Sequence, residues 1–138
     1  DNPPKDAKDS SGNSGKTAVA PEDFEFSRVI TPDPVMLFRY SACTFNSHRI
    51  HYDYKYVTEI EGYPSLIVHG PLIATFLMEL SLANNPDRKV RSYTFQARSP
   101  LFENNPFTVA GKPSGDGSAL WSITPDGRIS GTGAVGFT

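Results

Sequence analysis

The sequence predicts an α+β domain in which an antiparallel sheet wraps around one long buried helix. Two observations favour this class. Residues 67–82 form one apolar stretch of helical length, and four β-like stretches follow it, separated by turn residues. A chain of 138 residues, 38% of them hydrophobic, can bury the core of one ordinary domain and is too short for two. We therefore expect a single domain organised around that helix.

The central helix is predicted from its composition and its ends. Residues 67–82 read IVHGPLIATFLMELSL, with Gly70 and Pro71 near the start and Pro86 just past the end. Proline is favoured in the first turn of a helix and again beyond its last residue, because the ring fixes φ and lacks an N–H group. A helix that is apolar on nearly every side must be covered by other structure, here by the sheet.

The strands are predicted from extended-chain residues bounded by turn signals. The β-like stretches after the helix are residues 88–102, 106–113, 118–124 and 128–137, and Pro125-Asp126-Gly127 is a hairpin signal. Before the helix, residues 24–30 read as a strand, and residues 35–45, VMLFRYSACTF, read as a further extended segment. Several antiparallel strands around one buried helix form the arrangement called a hotdog.

Residues 1–20, DNPPKDAKDSSGNSGKTAVA, contain almost nothing apolar to bury. We predict a disordered linker or tail over residues 1–22 and the hotdog domain over residues 23–138. The sequence starts with Asp1 instead of Met. We therefore expect a processed form or a piece of a longer polypeptide.

Charge and cysteine content argue against several classes of function. A net charge of -2 offers no basic surface for nucleic acid, and no apolar run approaches the ~20 residues of a membrane span. The single cysteine, Cys43, excludes an internal disulfide framework and a cysteine-based zinc site, and we expect it to be buried. The sequence thus predicts neither nucleic-acid nor membrane partners. We expect a cytoplasmic protein, with the mitochondrial matrix as the alternative compartment.

All histidines of the chain fall in two short segments, FRYSACTFNSHRIHYD at residues 38–53 and VHGP at residues 68–71; they are His48, His51 and His69. This clustering favours a shared site over separate structural histidines. A metal site completed by Asp53 is the less favoured alternative, because no cysteine ligand is available to fill a zinc shell.

Gly70 is a candidate for the second half of a site. The N-terminus of a helix presents unpaired N–H groups and a partial positive charge, which would polarise a carbonyl oxygen placed there. Pro71 has no N–H, so the donors would be Gly70 and residues of the next turn such as Leu72. Gly70 would leave room for the oxygen, or it would only relieve a tight turn. The spacing leaves both interpretations open.

These two segments resemble the hydratase motif of the MaoC-like hotdog hydratase and dehydratase family. FRYSACTFNSHRIHYD with IVHGPL is most similar to the branch of the mesaconyl-CoA and 3-methylfumaryl-CoA hydratases and the mitochondrial 3-hydroxyacyl thioester dehydratases, in which a TFN-x-H-x-IHYD form is typical. The resemblance covers residues 24–137 and is specific over residues 38–80. It implies a hydro-lyase that reversibly hydrates enoyl thioesters, as in fatty acid metabolism, without a metal or redox cofactor.

The resemblance also implies roles for single residues. The family's catalytic histidine falls on His51 and its oxyanion-hole glycine amide on Gly70. Its catalytic aspartate falls on Asn46, an amide that can orient water but cannot act as a general base. His51 must then do more, or His48 must help. The candidate contacts for a coenzyme A phosphate are Arg98 and Arg49.

Finally, the resemblance implies a substrate and a partner. The substrate would be an acyl-CoA, with acyl carrier protein as the second carrier, and the branch suggests methyl-branched C5 dicarboxylates such as mesaconyl-CoA. The partner would be a second hotdog, in a homodimer or as the N-terminal half of the same polypeptide. Two other functions stay open. One is a thioesterase that uses Asp53 or Glu79, and the other is a non-catalytic half that only binds acyl thioesters, as Asn46 suggests.

Overall fold

The structure is a computed structural model that describes residues 18–138. Its elements in chain order are β1 (Phe26–Ile30), α1 (Pro34–Thr44), a 3₁₀ turn (Arg49–His51), α2 (Tyr54–Glu59), α3 (Gly70–Ala83), β2 (Val90–Ala97), β3 (Phe107–Ser114), β4 (Gly117–Ile123) and β5 (Ile129–Phe137). The predicted tail, residues 1–22, lies mostly outside the described residues and stays a prediction. Of its described part, Ala20 donates a backbone hydrogen bond to Gly127.

The described strands form one antiparallel sheet in the order β1-β3-β4-β5-β2. The strand predicted over residues 24–30 is β1, and the four stretches predicted after the helix are β2 to β5. The hairpin signal connects β4 to β5, with Gly127 at a φ of 85°, a left-handed conformation that glycine adopts without steric cost. β2 lies at one end of the sheet, where it pairs with β5.

Helix α3 packs across the sheet and forms the centre of the core. It begins at Gly70, as predicted, and ends at Ala83, three residues before Pro86. Its buried apolar side chains include Ile73, Leu77 and Leu80, whose spacing of three to four residues matches the period of a helix. This face contacts β1, β3, β4 and β5, while Pro71, Thr75 and Glu79 on the opposite face are exposed. Within residues 18–138, no helix is long and apolar enough to cross a membrane.

The prediction of an extended segment over residues 35–45 is wrong, because Pro34–Thr44 form helix α1. The Asp33 side chain accepts a hydrogen bond from the backbone N–H of Met36 at 2.7 Å, and Pro34 supplies a helical φ at the first position. Phe45 ends the helix in the left-handed conformation, with φ at 54°. The capping residues thus outweigh the strand preference of the residues between them.

Only Leu37 and Ser41 of α1 are buried, one helical turn apart. Cys43 lies away from this narrow face and is exposed, so the prediction that it is buried is also wrong. The same helical spacing that exposes Cys43 directs Ser41 into the protein.

Candidate active site

Two segments of the chain meet at the N-terminus of α3. The backbone N–H of Ile67 donates to the carbonyl of Ile50 at 3.0 Å, which joins the segment leading into α3 to the 3₁₀ turn. His51 and Gly70 thereby line one cleft of about 320 Å³. The other residues that line it are Ile67, Val68, Ile73 and residues 97–101. The structure therefore brings together the two residues that the sequence analysis placed at the centre of the site.

His51 is 8% exposed, and its ring is held by the backbone. Nδ1 lies 2.7 Å from the carbonyl oxygen of Ile67. A carbonyl oxygen can only accept, so Nδ1 carries the proton and donates, and Nε2 keeps its lone pair. Burial lowers the pKa of His51 below its usual 6.5, the hydrogen bond to Ile67 opposes this, and the charge of His48 lowers the pKa further. His51 is therefore a neutral base at neutral pH.

Gly70 is the first residue of α3, and its conformation does not require glycine. The glycines with positive φ in the described part of the chain are Gly62, Gly115 and Gly127. Apart from its chain neighbours and the nearby backbone of α3, no atom of residues 18–138 lies within 4 Å of a Cβ added at Gly70, so the missing side chain leaves open space in the cleft. The preceding residue, His69, provides no side-chain cap for the helix. These observations favour the interpretation that Gly70 admits a close ligand over the interpretation that it relieves a turn.

His69 lies behind His51 and is fully buried. The two imidazole rings stack with centroids 3.8 Å apart and planes 19° from parallel. Nε2 of His69 is 2.7 Å from the Ser41 hydroxyl, and Nδ1 has no hydrogen-bond partner among residues 18–138. Burial lowers the pKa of His69 to about 4, with a further contribution from the charge of His51. His69 is therefore neutral beside the candidate base.

The structure places Asn46 and His48 differently from His51. His48 is exposed, and its ring centroid is 5.9 Å from that of His51. Asn46 accepts a hydrogen bond from the backbone N–H of His48 at 3.1 Å and lines a neighbouring cleft that also contains Ser41. Asn46 is not among the residues that line the His51 cleft. The catalytic roles of Asn46 and His48 stay predictions.

Of the two arginines predicted to contact coenzyme A, only Arg98 lines the His51 cleft. The guanidinium of Arg49 donates to one carboxylate oxygen of Asp53, at 2.8 and 3.1 Å, and lies over the ring of Tyr56 at 4.2 Å. A phosphate would have to compete with these contacts for Arg49. The geometry therefore favours Arg98 as the cation of the site.

The two carboxylates considered for a thioesterase lie outside the cleft. Asp53 caps α2 by accepting from the backbone N–H of Tyr56 at 3.1 Å, and Glu79 pairs with Arg28 at 3.2 Å. Within residues 18–138, His, Cys, Asp and Glu side chains form no group of three or more that could hold a metal ion. His48, His51 and Asp53 therefore do not form the metal site considered as an alternative.

Two serines at the site were not predicted from the sequence. Ser41 holds His69, and a helical interpretation of α1 would have revealed it, because Ser41 follows the apolar Leu37 by one turn. Ser99 is in the wall of the His51 cleft, and its buried hydroxyl has no hydrogen-bond partner in the part of the chain that the structure describes. No sequence signal distinguishes Ser99 from other strand-end serines.

Comparison with protein families finds a match to the model of hydroxyacyl-thioester dehydratase type 2 over residues 3–103. A mesaconyl-C(4)-CoA hydratase of Chloroflexus aurantiacus is 48% identical over 101 residues, which are 73% of this chain and 36% of that protein. A mitochondrial hydroxyacyl-thioester dehydratase type 2 of Schizosaccharomyces pombe is 37% identical over 99 residues, which are 70% of this chain and 32% of that protein. The chain thus spans about a third of the length of these relatives.

Among solved structures, an unliganded R-hydratase from Pseudomonas aeruginosa superposes with a TM-score of 0.73 and 14% sequence identity. The superposition covers 83% of this chain and 79% of that chain. At this identity the likeness shows the fold alone. The predicted hotdog fold, an antiparallel sheet with a central helix, is confirmed.

Proposed function

This chain belongs to the hydroxyacyl-thioester dehydratase type 2 family, and from that membership we propose that it is a hydro-lyase that reversibly converts 2-enoyl thioesters into 3-hydroxyacyl thioesters. One observation carries the proposal: the neutral base His51 and the amide of Gly70 line the same cleft at the N-terminus of α3. Hydration requires a group that takes a proton from water and a donor that stabilises the oxygen of the thioester.

In the proposed hydration, Nε2 of His51 takes a proton from water while the water oxygen bonds to C3 of the enoyl group. The electron pair of the double bond moves through C2 onto the thioester oxygen, which accepts a hydrogen bond from the N–H of Gly70. His51 then returns the proton to C2. Dehydration is the reverse. Water adds across one double bond and no electrons enter or leave, so the proposed steps require no redox cofactor.

The acyl carrier is proposed to be coenzyme A, with acyl carrier protein as the second candidate. The Chloroflexus relative is named for a mesaconyl-CoA, which supports a short branched dicarboxylate as one substrate to test. Arg98 supplies a cation in the wall of the cleft, and a cation can pair with a carboxylate or a phosphate. The compartment is proposed to be the cytoplasm or the mitochondrial matrix, and the mitochondrial name of the fission yeast relative supports the latter.

The partner is proposed to be a second hotdog, either a copy of this chain or another half of one polypeptide. β2 is an end strand of the described sheet, and a strand with an unpaired edge can pair with a strand of another domain. The greater length of the relatives leaves room in them for a second such domain. Light scattering should give twice the chain mass of 15.1 kDa if the chain pairs with itself. If a longer polypeptide supplies both halves, that polypeptide should behave as a monomer. A fully active monomer of 15.1 kDa would contradict both forms of pairing.

The function is tested with crotonyl, longer enoyl and mesaconyl thioesters. Hydration predicts loss of the enoyl absorbance without release of free thiol. Release of free thiol would instead show a thioesterase, and binding without turnover across the panel would show a non-catalytic half. The matched control is His51→Ala, which should fold and lose the activity. Since neither Asp53 nor Glu79 lines the cleft, the geometry favours hydration over hydrolysis.

A further inference from the structure

His69 is a buried titratable group that the mechanism proposed above leaves without a role. We propose that His69, held by Ser41, is a positioning residue that fixes the plane of the His51 imidazole. This inference rests on the proposed function, because it assigns a task to His69 through the base of that reaction. It adds a support of two side chains, from α1 and from the start of α3, behind the base.

Two contacts are needed to hold an imidazole ring in one orientation. The hydrogen bond from Nδ1 to Ile67 fixes the direction of that nitrogen at 2.7 Å. One hydrogen bond still tolerates some rotation of the ring about its Cβ–Cγ bond, which would displace Nε2. The ring of His69, stacked at 3.8 Å with planes 19° from parallel, blocks that movement. Nε2 is therefore aimed by Ile67 and His69 together.

The surroundings of His69 explain how it can serve as a rigid support. The Ser41 hydroxyl is 2.7 Å from its Nε2, and the Tyr40 ring meets it edge-on at 4.7 Å. Both residues come from α1, so the helix fixes the support from behind. Leaving the buried Nδ1 unpaired costs stability that an apolar residue would not cost. Because an apolar residue would avoid this cost, a histidine that faces the proposed base at this position indicates a functional role.

The charge state of His69 agrees with this task. Burial lowers its pKa to about 4, so His69 stays neutral and does not repel the imidazolium that forms when His51 takes a proton. The other titratable groups around the pair are Tyr40 from α1, His48 just before the 3₁₀ turn and Arg98 in the cleft wall. His69 thus packs an uncharged aromatic ring against the proposed base.

Kinetics of His69→Ala and His69→Phe test the proposal. Removing the ring should lower kcat by about 10- to 100-fold, as the loss of an orienting partner does, with KM much less affected. Phenylalanine keeps a flat ring but cannot bond to Ser41, so it should recover part of kcat. A His69→Ala protein with wild-type kcat would overturn the proposal. A folded His69→Phe protein as slow as His69→Ala would overturn it too.

Ser41→Ala and Ser81→Ala form a matched pair of variants. Each variant removes one buried serine hydroxyl that is hydrogen-bonded. The Ser41 hydroxyl is 2.7 Å from the His69 ring. The Ser81 hydroxyl, near the other end of α3, is 2.9 Å from that of Ser118. Similar losses of stability are expected, but only Ser41→Ala should lower kcat. Equal kcat values in the two variants would contradict the role of Ser41, even if His69→Ala does not fold.

A nitrogen-15 NMR spectrum of the imidazoles tests positioning without turnover. In the wild type, His51 should show one tautomer with its proton on Nδ1, because the bond to Ile67 persists. In His69→Ala that signal should broaden or give way to a mixture of tautomers. An unchanged His51 signal would overturn the proposal. A wild type that hydrates no enoyl thioester would contradict the proposed function, while the NMR comparison would still decide the positioning role.

Discussion

At the scale of single residues, the environment of His51 determines the expected pH dependence. Burial is the first cause that lowers the pKa of His51, and the charge of His48 adds to it. Nε2 must be unprotonated to accept a proton, so activity is present above this pKa and is lost as the pH falls through it. We expect kcat/KM to show one acid limb with its midpoint below the ordinary ~6.5 of histidine. A bell-shaped profile of kcat/KM against pH would contradict a mechanism with a single base.

His48→Gln distinguishes two roles for His48. If His48 acts only through its charge, the variant should raise the pKa of His51 and move the acid limb to higher pH, while the rate on the plateau stays unchanged. A lower plateau in the same pH titration would show instead that His48 takes part in proton transfer.

Asn46 is expected to contribute less than His51. An amide neither gains nor loses a proton at ordinary pH, and the Asn46 oxygen already accepts from the backbone N–H of His48. Asn46→Ala should therefore lower kcat/KM less than His51→Ala, which removes the proposed base. Asn46→Asp should keep activity and add a second titration to the pH profile. The order of the two alanine variants decides the matter, and a slower Asn46→Ala enzyme would assign the central role to Asn46.

Gly70 is expected to be required for turnover and not for folding. A Cβ at this position meets nothing within 4 Å, so Gly70→Val should fold with its side chain in the cleft. The side chain should obstruct the approach of the thioester oxygen to the helix N-terminus, and loss of one oxyanion donor costs ~10²–10³ in turnover. Gly70→Ala serves as the graded control with a smaller effect. Wild-type kcat in a folded Gly70→Val enzyme would show that the oxygen does not bind there.

At the scale of elements, α1 shows how capping decides between helix and strand. Its residues favour an extended chain by composition, yet the Asp33 cap and Pro34 select the helix. Asp33→Ala should lower the free energy of unfolding by about 1 kcal/mol, measured by urea denaturation. Asp87, which is exposed, provides the control. Asp87→Ala should change the free energy of unfolding by less than about 0.5 kcal/mol. Equal effects of the two substitutions would contradict the capping role of Asp33.

The elements also determine which parts of the site are predictable. Gly70 at the start of α3 follows from proline punctuation, and β2 to β5 follow from turn signals between β-like stretches. Residues 35–45 were predicted to be extended, so the burial of Ser41 was not predicted. The face on which a residue lies depends on whether the segment has the period of a helix or of a strand. Arg49 was predicted as a phosphate contact because a sequence does not show that Asp53 and Tyr56 engage it.

At the scale of the whole molecule, the buried histidines make the fold sensitive to acid. The pKa of His69 is about 4 in the folded protein and near 6.5 in the unfolded chain. The folded state therefore binds fewer protons, so this stability is fully present above about pH 6.5 and is lost as the pH falls toward 4. Between about pH 7.5 and pH 5, His69 alone should lower the free energy of unfolding by about 2 kcal/mol, and the lowered pKa of His51 adds in the same direction.

Urea denaturation at these pH values provides the measurement. His69→Phe removes the titrating group and should show a smaller loss of stability over the same interval. If the wild type and His69→Phe lose stability in parallel, the acid sensitivity does not come from His69.

The sequence by itself determined the class of the fold, the central helix, the five strands of the described sheet in chain order, and the family resemblance carried by residues 38–53 and 67–72. These features depend on local patterns, namely turn residues, proline positions and a motif whose residues are near neighbours in the chain. Only the tertiary structure decided that Gly70 shares a cleft with His51, that Asn46 lines a different one, and that His69 stacks against His51. Such relations join residues that are distant in sequence and depend on how α1, the 3₁₀ turn and α3 pack. No local pattern records that packing.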